Sequence, residues 1–219
     1  MKRLGPVYTL AAGAATAVAL GVLSAGSTPA PQNVNARDVP SVVTTITPAP
    51  SAAPTATRTA RPAPEKADYA GRVKGNGGLI AVSVRDGKAI AYFCDGRAEA
   101  WLRGRATGDR VVLSGPGNSS VTARLRDGGA AGELRFGGRQ WDFRAPTVKK
   151  PSGLYRASAI VRGAKVRAGW IYLDDGSRVG LTLVDGEPAD VAIPEPGANA
   201  TVDGQEIDPQ DVDEFIGGF

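Results

Sequence analysis

Val121-Thr122-Ala123-Arg124-Leu125-Arg126-Asp127-Gly128 decides the fold class. Val121, Ala123 and Leu125 fall on one side of an extended chain and Thr122, Arg124 and Arg126 on the other. This is the period of two that a sheet with one wet face requires. The Asp-Gly pair behind it tolerates the positive φ angles of a tight hairpin turn. The pattern recurs downstream. Leu134 and Phe136 oppose Glu133 and Arg135, and Trp141 and Phe143 oppose Gln140, Asp142 and Arg144. Tyr155, Ala157, Ala159 and Val161 make another apolar face, followed by Val166, Ala168, Trp170 and Tyr172, then by Val179, Leu181 and Leu183. Asp86-Gly87, Asp95-Gly96, Gly137-Gly138, Asp175-Gly176 and Asp185-Gly186 supply further turns. The reading is an all-β chain, an antiparallel meander of about ten to twelve strands, barrel-like over 67–193, because a meander of that length must close or fold into layers to protect its edges. A two-layer β-sandwich is the alternative, since periodicity shows faces and not closure.

The segments ahead of this domain point to a membrane. Lys2 and Arg3 precede an uncharged apolar run, and residues 1–26 are expected to form a hydrophobic helix, either a transmembrane anchor or a signal peptide. Its core, Val7 to Leu23, is rich in Ala, Gly and Thr. It falls between the roughly 7–15 apolar residues of a signal and the about 20 of a span. The expected location is extracytoplasmic and membrane-anchored, with secretion after signal cleavage as the alternative. Residues 27–66 carry eight prolines and few large apolar side chains. They read as a disordered linker that, at about 3.1 Å per residue, reaches on the order of 120 Å when extended.

Composition removes several chemistries. The chain has one cysteine, Cys94, and no histidine, so it contains no internal disulfide, Ser-His-Asp triad, Cys-His pair, histidine metal site or cysteine-rich zinc site. Cys94 ends an apolar strand and reads as a small buried hydrophobe, an intermolecular disulfide being the sharper alternative. Gly75-Asn76-Gly77-Gly78 lacks the lysine of a phosphate loop, and the neighbours Asp174 and Asp175 fit a turn better than a paired acid and base. The expectation is a non-enzymatic module with no cofactor and no metal. Two alternatives stand beside it: a small-ligand carrier whose Trp101, Trp141, Trp170, Tyr92 and Tyr172 line the barrel interior, and a hydrolase built from dispersed carboxylates.

Gly78–Gly96, GLIAVSVRDGKAIAYFCDG, and Gly169–Gly186, GWIYLDDGSRVGLTLVDG, echo one another as strand, Asp-Gly, strand, Asp-Gly. Hairpins drawn from a small turn vocabulary often look this alike. Together with VKKPSGLYRA from Val148 and the residues from Gly71 onward, these stretches resemble an uncharacterised family of exported actinobacterial hypothetical proteins. The resemblance spans roughly Tyr69 to Val184. It implies an exported β domain behind a Pro-rich tether and carries over no site residues.

Charge is divided along the chain. Tyr69 to Arg178 holds 20 Lys and Arg against 9 Asp and Glu, whereas Val179 to Phe219 holds 10 acidic residues and no basic ones. Arg124, Arg126, Arg135, Arg144, Arg156, Arg162, Lys165 and Arg167 take outward positions on successive strands, where their fields add. They are the candidate site for an anionic partner, cell-wall polymer or phospholipid headgroups, with Lys149 and Lys150 in a loop beside them. No specific nucleic acid is expected, because no recognition helix, zinc-finger spacing or RNA-binding aromatic motif is present. The acidic tail, 194–219, holds a small hairpin at Thr201–Ile207 and a short helix begun by Asp208-Pro209. Val212, Phe215 and Ile216 form one stripe that would dock on the barrel and set Asp211, Asp213 and Glu214 against the basic face as an intramolecular mask. A free partner-binding tail is the alternative.

Overall fold

Eight segments of alternating or continuous apolar character pair in chain order: β1 (Lys66–Val73), β2 (Leu79–Arg85), β3 (Lys88–Cys94), β4 (Glu99–Thr107), β5 (Arg110–Ser114), β6 (Ser120–Arg126), β7 (Gly129–Phe136) and β8 (Arg139–Pro146). Each is antiparallel to the next, and β1 returns to β8, closing a barrel. This computed structural model describes residues 62–126 and 128–219. The hydrophobic segment 1–26, the linker as far as residue 61 and Asp127 lie outside the described residues. Among the described residues no helix is long and apolar enough to cross a membrane.

The seam between β1 and β8 is short, with Arg72 opposite Arg144 and Val73 opposite Phe143. Gly71 permits it, since a Cβ there would lie 2.1 Å from the Arg144 carbonyl oxygen. The hairpin turns use paired positive φ angles, as at Asp86-Gly87. Arg162-Gly163 turns in the same way between β9 and β10, with Arg162 at φ 50°. Sequence signals pass over that pair because arginine is not a usual residue there.

The barrel ends at Pro146 and does not run to residue 193. An eight-stranded barrel is just wide enough for side chains to fill, and Ile80, Phe93, Leu102, Leu113, Leu134 and Phe143 are among those that do so here. The strands beyond it make a second sheet. β9 (Gly153–Val161), β10 (Ala164–Tyr172), β11 (Arg178–Val184) and β12 (Glu187–Ala189) run antiparallel, and a small hairpin follows from β13 (Ala200–Val202) and β14 (Gln205–Ile207). β15 (Gln210–Asp211) then adds to the free edge of β9, giving the order β12-β11-β10-β9-β15.

This second sheet buries apolar residues on both faces. Ile171 and Leu154, with Val179 and Leu181 beside them, pack on the outside of the barrel against Leu79, Ala81, Ile90, Tyr92 and Cys94. Trp170, Ala168, Val166 and Tyr155 face the other way, against Ala200, Val202 and Ile207 of the hairpin. The apolar residues of β11 therefore do not continue the face of β10. Trp170 pairs with Gly180 and Ala168 with Thr182, so Gly180 and Thr182 share the Trp170 face while Val179 and Leu181 turn to the barrel.

The two sheets come into close contact at Gly169. A Cβ on this residue would lie 2.6 Å from the Trp101 ring and 2.7 Å from the Tyr92 ring. The Tyr92 hydroxyl oxygen lies 3.1 Å from the Gly169 carbonyl oxygen. Gly169→Ala is expected to lower stability by about 1–3 kcal/mol through overpacking. Thermal unfolding should show a lower Tm with unchanged far-ultraviolet circular dichroism.

The acidic segment is part of this architecture. Its helix, α1 (Val212–Phe215), starts later than Asp208-Pro209 because Gln210 and Asp211 are held in β15 opposite Arg156 and Tyr155. Asp211 is the N-cap: its carboxylate accepts from Asp213 N at 2.8 Å, and Glu214 accepts from Asp211 N at 3.1 Å, a capping box. Val212, Phe215 and Ile216 are buried between barrel and sheet. Asp213 pairs with Lys66 and Arg85, and Arg85 also binds Asp68 at 2.8 Å. Lys66 and then Arg85 hold the Asp213 carboxyl down to about 2 from the usual 3.8. Because the folded value is the lower one, this pairing stabilises fully above about pH 4 and is lost as pH falls through 2. Asp213→Asn should lower the Tm near neutrality, with wild type and variant converging as pH approaches 2.

Candidate functional site

The eight basic residues expected to form one face are divided by the fold between two surfaces. Arg124, Arg126, Arg135 and Arg144 stand on the outer wall of the barrel, and Arg156, Arg162, Lys165 and Arg167 belong to the second sheet or its turn. The break at Pro146 separates them.

On the barrel wall, register builds a row. Arg110 is opposite Arg124, Arg124 opposite Ala131, Ala131 opposite Arg144 and Arg144 opposite Arg72. Four strand spacings of about 4.8 Å make this row about 19 Å long. Ala131, the small residue between two arginines, helps leave a depression of about 720 Å³ that Arg72, Lys74, Arg124, Arg126 and Arg144 border. Arg124 is held by both oxygens of Asp109, at 2.9 and 3.1 Å, and Arg72 by Asp175 and Ser177, each at 2.7 Å. Among the described residues Lys74, Arg126 and Arg144 form no ion pair. Glu133 and Asp142, opposite each other, also line the depression and trim its positive field. Arg135 lies outside it.

The sheet residues behave differently. Arg156 is not an outward residue: it is half-buried, its guanidinium over the rings of Phe215 and Phe219 at 5.8 and 5.2 Å. Arg167 is exposed at the rim of the same space. Arg162 sits in the β9–β10 turn and Lys165 just after it, away from both concavities. The mask expected from the acidic segment does not lie over these arginines. Its carboxylates meet Lys66, Arg85 and Lys150, and Glu195 meets Arg178.

A second concavity, about 800 Å³, opens between β4, the loop 114–117 and the β9–β11 part of the second sheet. Glu99, Trp101, Arg103, Arg156, Arg167 and Phe219 line it. Glu99 is nearly buried, with the Tyr92 hydroxyl donating to it at 2.7 Å and Arg167 at 3.8 Å. Burial pushes its carboxyl above the usual Glu range. The Tyr92 hydrogen bond, the Arg167 charge and the Trp101 indole, whose N–H is buried without a partner of normal geometry, only partly offset that. Tyr92 is pushed well up by its own burial and then by Glu99.

No protein family, curated protein or solved structure matches the chain. Chemistry must therefore be read from the residues alone. Among the described residues no three His, Cys, Asp or Glu side chains converge as metal ligands would. The aromatic residues assigned to a barrel lumen are elsewhere: Tyr92 and Trp101 lie between barrel and sheet, Trp170 and Tyr172 beyond the sheet, and only Trp141 packs against the interior cluster. Cys94 is fully buried in the layer between barrel and sheet, and that burial raises its thiol pKa.

Sequence reading missed Arg72, Lys74, Arg103 and Arg110. Their alternation was available, in Arg72-Val73-Lys74 and Arg103-Gly104-Arg105, but which strands become neighbours is set by closure. Tyr92→Phe should raise the Glu99 pKa further, because it removes the hydrogen bond that favours the carboxylate. A carbon-13 titration of the Glu99 carboxyl checks this.

Proposed function

We propose that this chain is a non-enzymatic module of the cell envelope, held outside the membrane on its Pro-rich tether, that binds an anionic wall polymer through the outer wall of the barrel. The observation that carries the reading is the row Arg110, Arg124, Arg144 and Arg72, the last three of which border one depression together with Lys74 and Arg126. Cations at strand spacing along a concave wall suit a chain of repeating negative groups, and their summed field steers such a chain inward. Phospholipid headgroups are the weaker fit. A membrane-facing surface gains from exposed apolar residues, and none of the depression's lining is an exposed large hydrophobe; Val112 and Ile160 are the two such residues described.

The location rests on Lys2, Arg3 and the apolar run behind them, on the eight prolines of the linker and on the resemblance to exported actinobacterial proteins. The excess of basic residues between Tyr69 and Arg178 supports an anionic partner. No cofactor is proposed.

The test is retention of the full chain, in mild detergent, on an immobilised polyphosphodiester wall polymer across a salt series. Binding should weaken steadily as salt screens the wall. Arg126→Ser with Arg144→Ser should weaken it about tenfold at low salt, the scale of losing two charge-assisted contacts. Equal retention of wild type and variant sinks the reading. Arginine-dependent binding to anionic phospholipid vesicles without binding to the polymer moves the partner to lipid.

A further inference from the structure

Arg103 on β4, Arg156 on β9 and Arg167 on β10 belong to two different sheets, and the docking of those sheets brings all three to one cleft of about 800 Å³. Their mutual repulsion registers at the most buried of them. Desolvation first, then the charges of Arg167 and Arg103, lower the pKa of Arg156. Against three cations the side chains lining the cleft set one carboxylate, Glu99, which lies 3.8 Å from Arg167 and is already bonded to Tyr92. Among the described residues Arg103 and Arg156 have no acidic partner. Each lies instead over the ring of Phe219, at 5.1 and 5.2 Å. A ring face attracts a cation but neutralises no charge.

The remainder of the lining is largely aromatic and apolar. The Trp101 and Phe219 rings lie within 19° of parallel with centroids 6.3 Å apart, and Phe136 adds a third ring to the wall. The volume falls within the roughly 300–1,000 Å³ of small-molecule sites. Planar guanidinium forks match the oxygens of a phosphate in pairs, and a dianion compensates more of the three arginines' charge than a carboxylate does.

We propose that this cleft binds a small organic anion in which an aromatic ring carries a phosphate group, the phosphate held by Arg103, Arg156 and Arg167 and the ring against Trp101 and Phe219. The cleft shares no residue with the depression on the barrel wall, so either assignment stands or falls without the other.

Calorimetric titration of the full chain in mild detergent, with a micelle blank subtracted, uses 1-naphthyl phosphate as probe and inorganic phosphate and 1-naphthol as its two halves. The expected result is saturable single-site binding of naphthyl phosphate, with each half at least about tenfold weaker, since each forfeits one set of contacts. Arg103→Gln and Arg167→Gln, both at exposed positions, should each weaken the probe by about tenfold. Arg126→Ser with Arg144→Ser should leave it unchanged. Absence of saturable binding, either half binding as well as the whole, or full affinity in a folded Arg103→Gln, Arg167→Gln double variant would overturn the proposal.

Discussion

The contact of Tyr92 and Trp101 with the backbone at Gly169 is the constraint on which the rest of this molecule depends. The two rings, 4.4 Å apart, leave no room for a side chain at residue 169, and the Tyr92 hydroxyl reaches both the Gly169 carbonyl and Glu99. One tyrosine therefore packs the barrel against the second sheet and, with the single proton of its hydroxyl, fixes the orientation of the Glu99 carboxylate that lines the cleft. Had the sheet docked elsewhere, Arg156 and Arg167 would not face Arg103. The position of the candidate ligand site is a consequence of packing between layers and not of any local motif.

That docking also explains why two short segments are so apolar. Leu79–Arg85 and Lys88–Cys94 carry nearly unbroken runs of buried residues, with Ile80, Val82, Ala91 and Phe93 facing the lumen and Leu79, Ala81, Tyr92 and Cys94 facing the second sheet. A strand with one wet face alternates, whereas a strand covered on both faces does not. β6, by contrast, alternates strictly and stays open to solvent on its outer side, where Arg124 and Arg126 stand. The basic wall and the buried wall are opposite consequences of the same barrel, selected strand by strand by what covers it.

Charge follows the same logic. The acidic segment does not blanket the basic residues as a simple count of charges suggests. Its Asp211 and Asp213 reach Lys150, Lys66 and Arg85 because Val212, Phe215 and Ile216 fix α1 in the groove beside β1–β3 and β9. Apolar burial decides where the helix sits, and the carboxylates take the cations they find there. On the barrel wall Arg126 and Arg144 are left to face solvent, and in the cleft Arg103 and Arg156 are left with aromatic rings.

The sequence by itself determined the strands, most of the turns, the antiparallel meander and the division of charge, because alternation and Asp-Gly turns are local properties of a chain. Val121 to Gly128 could be read without knowing what surrounds it, and so could the stripe of Val212, Phe215 and Ile216. Tertiary structure alone decided that the barrel closes after eight strands, that Val179 and Leu181 turn away from Trp170, and that the eight basic residues are divided between two surfaces, with Arg135, Arg162 and Lys165 in neither concavity. The reason is that each of these depends on which strands become neighbours. Closure at Gly71 and Arg144 brought Arg72 beside the wall, and the approach at Gly169 brought Arg103 to Arg156. No spacing along the chain encodes either meeting.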